Sequence, residues 1–146
     1  MSLLVAVDLS ESSRTVIDHA RSLAAAYPGK IWLVHVAPPE PDFLGYRVGP
    51  QSVRDGVAQH VHEDHRQLQH WAEDLRSSGL DCTALLVQGP FASTILSEAD
   101  RLAVQVIVVG SHGQGAAHRL FVGSTSEGIL RGATVPVFVV PYRRRS

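Results

Sequence analysis

The fold of this chain is decided at its start, where the apolar run Leu3-Leu4-Val5-Ala6-Val7 ends at Asp8. Five apolar residues in succession, without alternation, are typical of a strand that is buried on both faces, as in a parallel sheet. Apolar residues then recur at helical spacing from a start near Ser10 or Ser12, either of which can cap a helix, until Pro28-Gly29 ends the pattern. The chain therefore opens with a strand followed by a helix.

The same order of strand and helix repeats along the rest of the chain. Short apolar runs alternate with segments whose apolar residues lie three or four apart, which predicts an α/β fold with an open, five-stranded parallel sheet and helices on both faces. The arrangement is (βα)4β in a single domain over 1–146, with the basic segment 142–146 as a tail. The predicted elements after the first helix are a strand at 31–36, a loop at 37–51, a helix at about 52–77, a strand at 83–87, a turn at Gly89-Pro90 into a helix that carries Ile95, Leu96, Ala99, Leu102 and Ala103, a strand at 104–109, a helix at about 124–131 and a strand from Val135 to Val140.

Composition narrows the class of protein. The 146 residues, 45% of them hydrophobic, fit one ordinary domain, and 13 Lys and Arg against 14 Asp and Glu give a net charge of −1. A chain without net positive charge lacks the field that indiscriminate nucleic-acid binding needs, so no nucleic-acid partner is expected. The longest apolar runs fall far short of the roughly 20 residues that span a bilayer, and no export signal precedes the first strand. We therefore expect a cytoplasmic protein with no membrane partner.

A long glycine-rich segment follows the fourth predicted strand. It runs over 14 residues, from Gly110 to Gly123, against roughly 2 to 6 in an ordinary strand-to-helix connection. Its glycines let main-chain N–H groups converge on a ligand, and it ends at a helix N-terminus, where free N–H groups and the helix dipole favour an anion. The Ser124 and Ser126 hydroxyls can donate to phosphate oxygens, and Arg119 is the cation of the loop. The pattern predicts a phosphate site, and a flexible loop with a capping serine is the alternative.

Better-known phosphate and hydrolase motifs are excluded. The only lysine, Lys30, precedes the second strand, so the chain has no GxxxxGK[ST] motif of the P-loop ATPases. The stretch Gly113-Gln114-Gly115-Ala116-Ala117-His118 resembles GxGxxG, but it lacks the last glycine and an acidic residue about 20 positions further on. No GxSxG motif is present, so hydrolases built on that motif would have no nucleophile here.

The glycines and the serine fall at Gly110-x2-Gly113-x9-Gly123-Ser124, a spacing that resembles the ATP-binding signature of the universal stress protein family. The resemblance extends from Val5-Ala6-Val7-Asp8, through Leu33-Val34-His35-Val36, to Val135-Pro136-Val137 near the end. It implies strand order 3-2-1-4-5, with ATP or a related adenine nucleotide between strands one and four. The general rule for open parallel sheets agrees, since their ligands bind beyond the carboxyl ends of the strands where the order reverses.

The resemblance also implies roles for individual residues. The main chain of Val36 would read the edge of the adenine, and Ala6 and Val7 would line its pocket. Asp8 would face the ribose or a phosphate-bound Mg²⁺, and capping of the first helix is the other role open to it. The remaining residues of the implied site are Ser10, Gly110, His112, Gly113, Gly115, Arg119, Gly123, Ser124, Thr125 and Ser126.

Family members pair as homodimers through the last strand, so the resemblance implies a homodimer through Val135 to Val140. We hypothesise a stress-response regulator whose bound adenine nucleotide, ATP or AMP, is reported to a protein partner. Two alternatives stay open. One is a scaffold of the same fold that binds no nucleotide, which is favoured by Gln114, because relatives often carry a basic residue after the second glycine. The other is a slow ATPase, or an enzyme that phosphorylates itself on Ser124 or Ser126.

Histidine and cysteine positions carry weaker signals. Four histidines fall in the long second helix, at His60, His62, His65 and His70. Only His62 and His65 share a helix face at about 100° per residue, which favours solvent-facing side chains over a metal site. We interpret His35 as a core histidine with a satisfied ring and Cys82 as a buried core thiol.

Overall fold

The structure, a computed structural model, describes residues 1–38, 51–111 and 124–141, and for 51–61 and 124–125 it describes the backbone alone. The described helices and strands alternate strictly along the chain. In chain order they are β1 (Leu3–Val7), α1 (Ser12–Ala26), β2 (Lys30–Ala37), α2 (Gln51–Ser77), β3 (Asp81–Gln88), α3 (Phe91–Arg101), β4 (Val106–Gly110), α4 (Ser124–Gly132) and β5 (Val137–Val140).

The strands form one parallel sheet of five in the order β3-β2-β1-β4-β5. This confirms the predicted α/β class and the order 3-2-1-4-5 that the family resemblance implies. From β1 the chain moves outward to β2 and β3, and it then returns across the sheet to β4 and β5. The order therefore reverses between β1 and β4, which are neighbours at the centre of the sheet.

The central strand buries side chains on both faces, which explains its continuous apolar run. On one face Leu3, Val5 and Val7 pack with side chains of α1 and α2. On the other face Leu4 and Ala6 pack with side chains of α3 and α4. All five residues of β1 are at most 3% exposed, so the strand lies fully between two helical layers.

Two glycines of α4 allow it to pack closely on α3. A Cβ at Gly132 would lie 2.5 Å from Cδ1 of Leu96, and a Cβ at Gly128 would lie 3.0 Å from Cβ of Ala92. The glycines are four residues apart and therefore share one face of the helix. Together with the fully buried Ile129, this contact holds α4 against the sheet.

Strand β4 is shorter than the apolar pattern predicts. It begins at Val106, whereas the prediction starts it at Val104. Val104 is buried, but it lies in the turn after α3, where its N–H donates to the Ala99 carbonyl at 3.1 Å. Ala103, predicted to lie in the helix, belongs to the same turn and has a φ of 51°. A buried turn residue is as apolar as a buried strand residue, so hydropathy does not separate the two.

The other boundaries differ for related reasons. The strand predicted from Val135 to Val140 covers Val137–Val140, because the residues before Val137 form the turn that leads into it. Strands β2 and β3 start earlier than predicted, at two charged residues. Lys30 and Asp81 pair in register across the two strands, and their side chains form an ion pair at 3.3 Å.

Three predicted segments lie wholly or mostly outside the described residues: the loop at 37–51, from residue 39 to residue 50, the glycine-rich segment, from residue 112 to residue 123, and the tail at 142–146. Among the helices that are described, none combines the length and the apolar character needed to cross a bilayer.

Candidate functional site

The carboxyl ends of β1 and β4 part from each other. The ladder between these strands ends at the pair Val5 and Val108, whereas the ladder between β1 and β2 continues to Val7 and His35. Beyond Val108, β4 stays paired with β5 on its other side. A crevice therefore opens between β1 and β4 where the strand order reverses, which is the position at which open parallel sheets bind ligands.

Asp8 follows β1 directly and lies at the edge of this crevice. Its Oδ1 accepts hydrogen bonds from the Ser10 N–H at 3.0 Å, from the Ser10 hydroxyl at 2.5 Å and from the Ser13 hydroxyl at 2.9 Å. The Ser10 hydroxyl also lies 2.7 Å from the Ser12 hydroxyl. One carboxylate oxygen thus holds together the turn that joins β1 to α1.

The backbone of this turn is strained. Leu9 has a φ of 65°, in the left-handed region that costs a non-glycine residue roughly 1 to 2 kcal/mol. Helix α1 begins at Ser12 without a side-chain cap, so the prediction that Ser10 or Ser12 caps it is wrong. The hydrogen bonds to Asp8 compensate for this strain, because they fix the serines on either side of the helix start.

The second carboxylate oxygen of Asp8, Oδ2, is buried and has no hydrogen-bond partner among the described residues. Most buried polar atoms are bonded, since an unsatisfied one costs about 1 to 3 kcal/mol. An ionised carboxylate oxygen is an acceptor, and it suits a ribose hydroxyl or a water held by Mg²⁺. The hydrogen bonding of Asp8 is therefore incomplete on one side, in a manner that fits the expected ligand.

The residues expected around the adenine lie at the same edge of the sheet but on different faces. Ala6 and Val36 belong to the core on the side of α3 and α4. Val7, expected to line the pocket beside Ala6, packs its side chain on the side of α1 and α2 and is 2% exposed. The part of Val7 that remains for a ligand in the crevice is its main chain.

Ser126 ties the start of α4 to the end of β4. Its hydroxyl donates to the Gly110 carbonyl at 2.6 Å, and the residue is 1% exposed. The Ser126 hydroxyl thus donates its hydrogen to a carbonyl of the protein, whereas the sequence predicts that it donates to a phosphate oxygen. The next residue of the chain after β4 is also fixed, because the Ser111 N–H donates to the Val140 carbonyl at 2.8 Å.

The rest of the predicted phosphate loop falls on residues whose placement is not described. His112, Gly113, Gly115, Arg119 and Gly123 lie outside the described residues. The backbones of Ser124 and Thr125 begin α4, and their side chains are not among those described.

His35 lies at the end of the ladder between β1 and β2, with 10% of its side chain exposed. Its Nδ1 lies 2.9 Å from the Val7 carbonyl oxygen, and its Nε2 lies 3.6 Å from Oδ2 of Asp64 on α2. The burial of His35 confirms that it is a core histidine, and its Nδ1 is bonded to the main chain. Sequence reasoning missed the link to Val7, because that link depends on the strand register; the signal in the sequence was a polar residue within an apolar strand.

Among the described residues, the histidines of α2 do not form a metal centre. Within that part of the chain, no group of three or more His, Cys, Asp or Glu side chains is placed to hold a metal ion. The side chains of His62, His65 and His70 are exposed, and that of His60 is not described.

Comparison with known proteins points to one family. The model of the universal stress protein family matches residues 1–141. A relative from Thermus aquaticus, described as the universal stress protein in the QAH/OAS sulfhydrylase 3′ region, is 30% identical over 145 residues. The match covers 95% of this chain and 97% of that relative.

Solved structures share the fold. Protein MJ0577 of Methanocaldococcus jannaschii superposes with a TM-score of 0.83 at 19% identity, over 99% of this chain and 97% of that one. The universal stress protein of Archaeoglobus fulgidus, solved in complex with dAMP, superposes with a TM-score of 0.69 at 20% identity. That match covers 95% of this chain and 96% of the other.

Proposed function

The chain belongs to the universal stress protein family, and from this premise we propose that it binds an adenine nucleotide, ATP in the first place, in the crevice between β1 and β4. The observation that carries the proposal is Oδ2 of Asp8 at the edge of that crevice, which is buried and has no hydrogen-bond partner within the part of the chain that the structure describes. A relative of the same fold was solved in complex with dAMP, which supports an adenine ligand for the proposal.

The nucleoside end of the ligand would lie against β1 and β2. Oδ2 of Asp8 accepts from a ribose hydroxyl, or from water on a nucleotide-bound Mg²⁺, while Oδ1 stays engaged with the serines of the turn. The main chain of Val36 reads the adenine edge, next to the small side chain of Ala6 on the same face of the sheet.

The phosphate end would lie at the start of α4. Free N–H groups and the dipole at a helix N-terminus favour an anion. The bond from Ser126 to Gly110 fixes this helix end at the carboxyl edge of β4. Glu127 is an acidic residue in the first turn, and its pairing with Arg131 at 2.6 Å reduces its repulsion of phosphate. The glycines of the loop, Gly110, Gly113, Gly115 and Gly123, would supply further N–H groups, and His112 and Arg119 belong to the same segment of sequence.

We propose that this binding serves regulation in the cytoplasm, with the nucleotide state reported to a protein partner by a homodimer. The support for a homodimer is that β5 lies at the end of the sheet order and carries an exposed Phe138. An edge strand of this kind offers main-chain groups to a second strand.

Replacement of Asp8 tests the proposal. In Asp8→Asn the side-chain oxygen still accepts from Ser10 and Ser13, whereas an NH2 group replaces Oδ2 and cannot accept. We expect native stability within about 1 kcal/mol and a loss of roughly tenfold or more in ATP affinity, because a hydrogen bond to a charged acceptor is removed. Isothermal titration calorimetry of both chains measures the affinity, and Asp18→Asn on the exposed side of α1 is the matched control.

The same titrations separate the competing functions. Equal ATP affinity for the unchanged chain and Asp8→Asn would refute the role of Asp8. If the unchanged chain binds no adenine nucleotide, and mass spectrometry of the heat-denatured protein finds none copurified, the scaffold function replaces the proposed one. Turnover of ATP that is lost in Asp8→Asn with the fold intact would favour the ATPase function.

A further inference from the structure

A cleft of about 650 Å³ lies between the start of α1 and the middle of α2. Small-molecule sites in proteins have volumes of roughly 300 to 1,000 Å³, so the cleft has the size of a ligand site. Both helices pack on the face of the sheet opposite to Ala6 and Val36, and of the described residues assigned to the nucleotide, Ser10 alone lines the cleft. The walls of this α1–α2 cleft include Leu9, Glu11, Arg14, Asp64, Gln67 and Trp71.

The cleft runs inward from the carboxyl edge of the sheet. Asp64 lies beside His35, which belongs to the last register pair between β1 and β2, so Asp64 marks that edge. Gln67 and Trp71 follow at spacings of three and four residues, and the three side chains therefore share one face of α2. With a rise of 1.5 Å per residue, Trp71 lies about 10 Å further along the helix. Because α2 leads back to the start of β3, this direction points away from the carboxyl edge.

The α1 wall of the cleft has the same direction. Glu11 and Arg14 are three residues apart at the start of α1, which follows β1 at the carboxyl edge. Glu11 therefore lies nearer to the edge, and Arg14 lies about one helical turn deeper. Through their side chains, neither forms a hydrogen bond or an ion pair with any residue that the structure describes.

Trp71, at the inner end of the cleft, holds a hydrogen-bond donor that has no acceptor. The residue is 9% exposed, and its indole Nε1 is buried without a partner in the described ranges of the chain. A buried indole N–H usually finds a partner, because an unsatisfied one has lost its hydrogen bond to water without replacement. Since the indole only donates, the missing group is an acceptor.

The charges of the cleft differ between its two ends. The acidic side chains of Glu11, Glu63 and Asp64 stand against one basic side chain, Arg14, so negative charge is in excess and lies towards the edge. Leu9 adds an apolar surface to the wall. A complementary ligand therefore carries a cation at its outer end, an apolar chain in the middle and an acceptor, best an anionic one, at its inner end.

We propose that the α1–α2 cleft binds a free amino acid with a long cationic side chain, of the arginine class. The guanidinium group pairs with the carboxylates of Glu11 and Asp64, and the α-carboxylate accepts from Arg14 and from the indole N–H of Trp71. The α-ammonium group donates to the amide oxygen of Gln67. The distance of about 10 Å between the acidic end and Trp71 suits a side chain of several methylenes. The proposal goes beyond nucleotide binding and does not depend on it.

L-Arginine is the probe, and amide NMR of the labelled full chain at constant ionic strength measures its binding. We expect shifts that saturate with a dissociation constant of about 1 mM or lower. The indole N–H signal of Trp71 should move, whereas that of Trp32, which packs on the opposite face of the sheet, should not. Citrulline, a neutral analogue of the side chain, and agmatine, which lacks the carboxylate, should each bind about tenfold more weakly.

Substitutions separate the two ends of the ligand. Trp71→Phe keeps a ring in the wall and removes the N–H, so we expect about tenfold weaker binding of arginine and unchanged binding of agmatine. Arg14→Gln, at an exposed position that does not endanger folding, should give the same pattern. Glu11→Gln should weaken both ligands about threefold to tenfold. Arg66→Gln, an exposed residue of α2 outside the cleft, is the matched control and should bind both ligands as the unchanged chain does.

Three results would overturn the inference. The first is the absence of saturating shifts around Gln67 and Trp71 at about 50 mM arginine, far above the expected dissociation constant. The second is equal affinity for arginine and citrulline. The third is unchanged arginine affinity in both Trp71→Phe and Arg14→Gln. Each of them would leave the proposal for the nucleotide crevice in place, because ATP binding is measured separately.

Discussion

Asp8 uses its two carboxylate oxygens for two purposes. Oδ1 accepts three hydrogen bonds and holds a turn in which Leu9 takes a φ of 65°, and Oδ2 is buried with no partner among residues 1–38, 51–111 and 124–141. Strained backbone and unsatisfied polar atoms both concentrate at functional sites, since the surrounding fold compensates for their cost. The sequence left Asp8 two roles, a cap or a ligand contact, and the structure shows that the residue braces the helix start with one oxygen while the other stays open.

The buried thiol of Cys82 allows a test of how burial changes the pKa of a single side chain. Desolvation by burial raises the pKa of its thiol to about 11 from an ordinary 9.0, against the opposing effect of Arg76. The folded state therefore holds the thiol proton more tightly than the unfolded state does. This contribution to stability is complete below about pH 9 and is lost as the pH rises to about 11. We expect the free energy of unfolding to fall less steeply over that range in Cys82→Ala than in the unchanged chain.

Urea denaturation at a series of pH values measures this slope. The substitution also leaves a cavity, which lowers stability at every pH, so the slopes are compared and not the absolute values. Parallel slopes for the two chains would show that the thiol is no harder to ionise in the folded protein.

At the scale of elements, β5 is the last strand in the order of the described sheet, and the orientation of its main-chain groups can be derived from its hydrogen bonds. The Pro136 carbonyl accepts from the Ile107 N–H at 3.0 Å, and the Val140 carbonyl accepts from the Ser111 N–H at 2.8 Å. In a strand, alternate residues direct their main-chain groups to opposite sides. The N–H and carbonyl groups of Val139 therefore face away from β4, towards the end of the sheet.

This orientation gives a specific prediction for the proposed homodimer. Val139→Pro removes an N–H from the outer edge and leaves the bonds to β4 intact, so we expect monomers with a native circular dichroism spectrum. Val139→Ala keeps the N–H and should stay dimeric. Sedimentation velocity measures both. A dimer that survives in Val139→Pro would contradict pairing through this strand.

At the scale of the whole molecule, the sequence predicts the class of fold and the order of its elements. The reason is physical: strands of a parallel sheet are buried on both faces, so their runs are apolar throughout and easy to separate from amphipathic helices. Boundaries were less predictable. Val104 is buried in a turn, while Lys30 and Asp81 extend two strands through an ion pair that only their register brings together.

The candidate site was predictable to the same degree. The position of Asp8 after the first strand and the glycines after the fourth follow from the sequence. The separation of Ala6 from Val7 by face, the donation from Ser126 to Gly110 and the link from His35 to Val7 depend on register and packing. A single sequence gives no measure of either.

The central claim is that an adenine nucleotide occupies the crevice where β1 and β4 part. Titration of isotope-labelled protein with ATP, followed by amide NMR, tests it most directly. The account predicts shifts that saturate together at Asp8, Val36, Gly110 and Ser126, with none at the opposite edge of the sheet around Gly79. Shifts confined to that opposite edge, or no shifts at millimolar ATP, would contradict it.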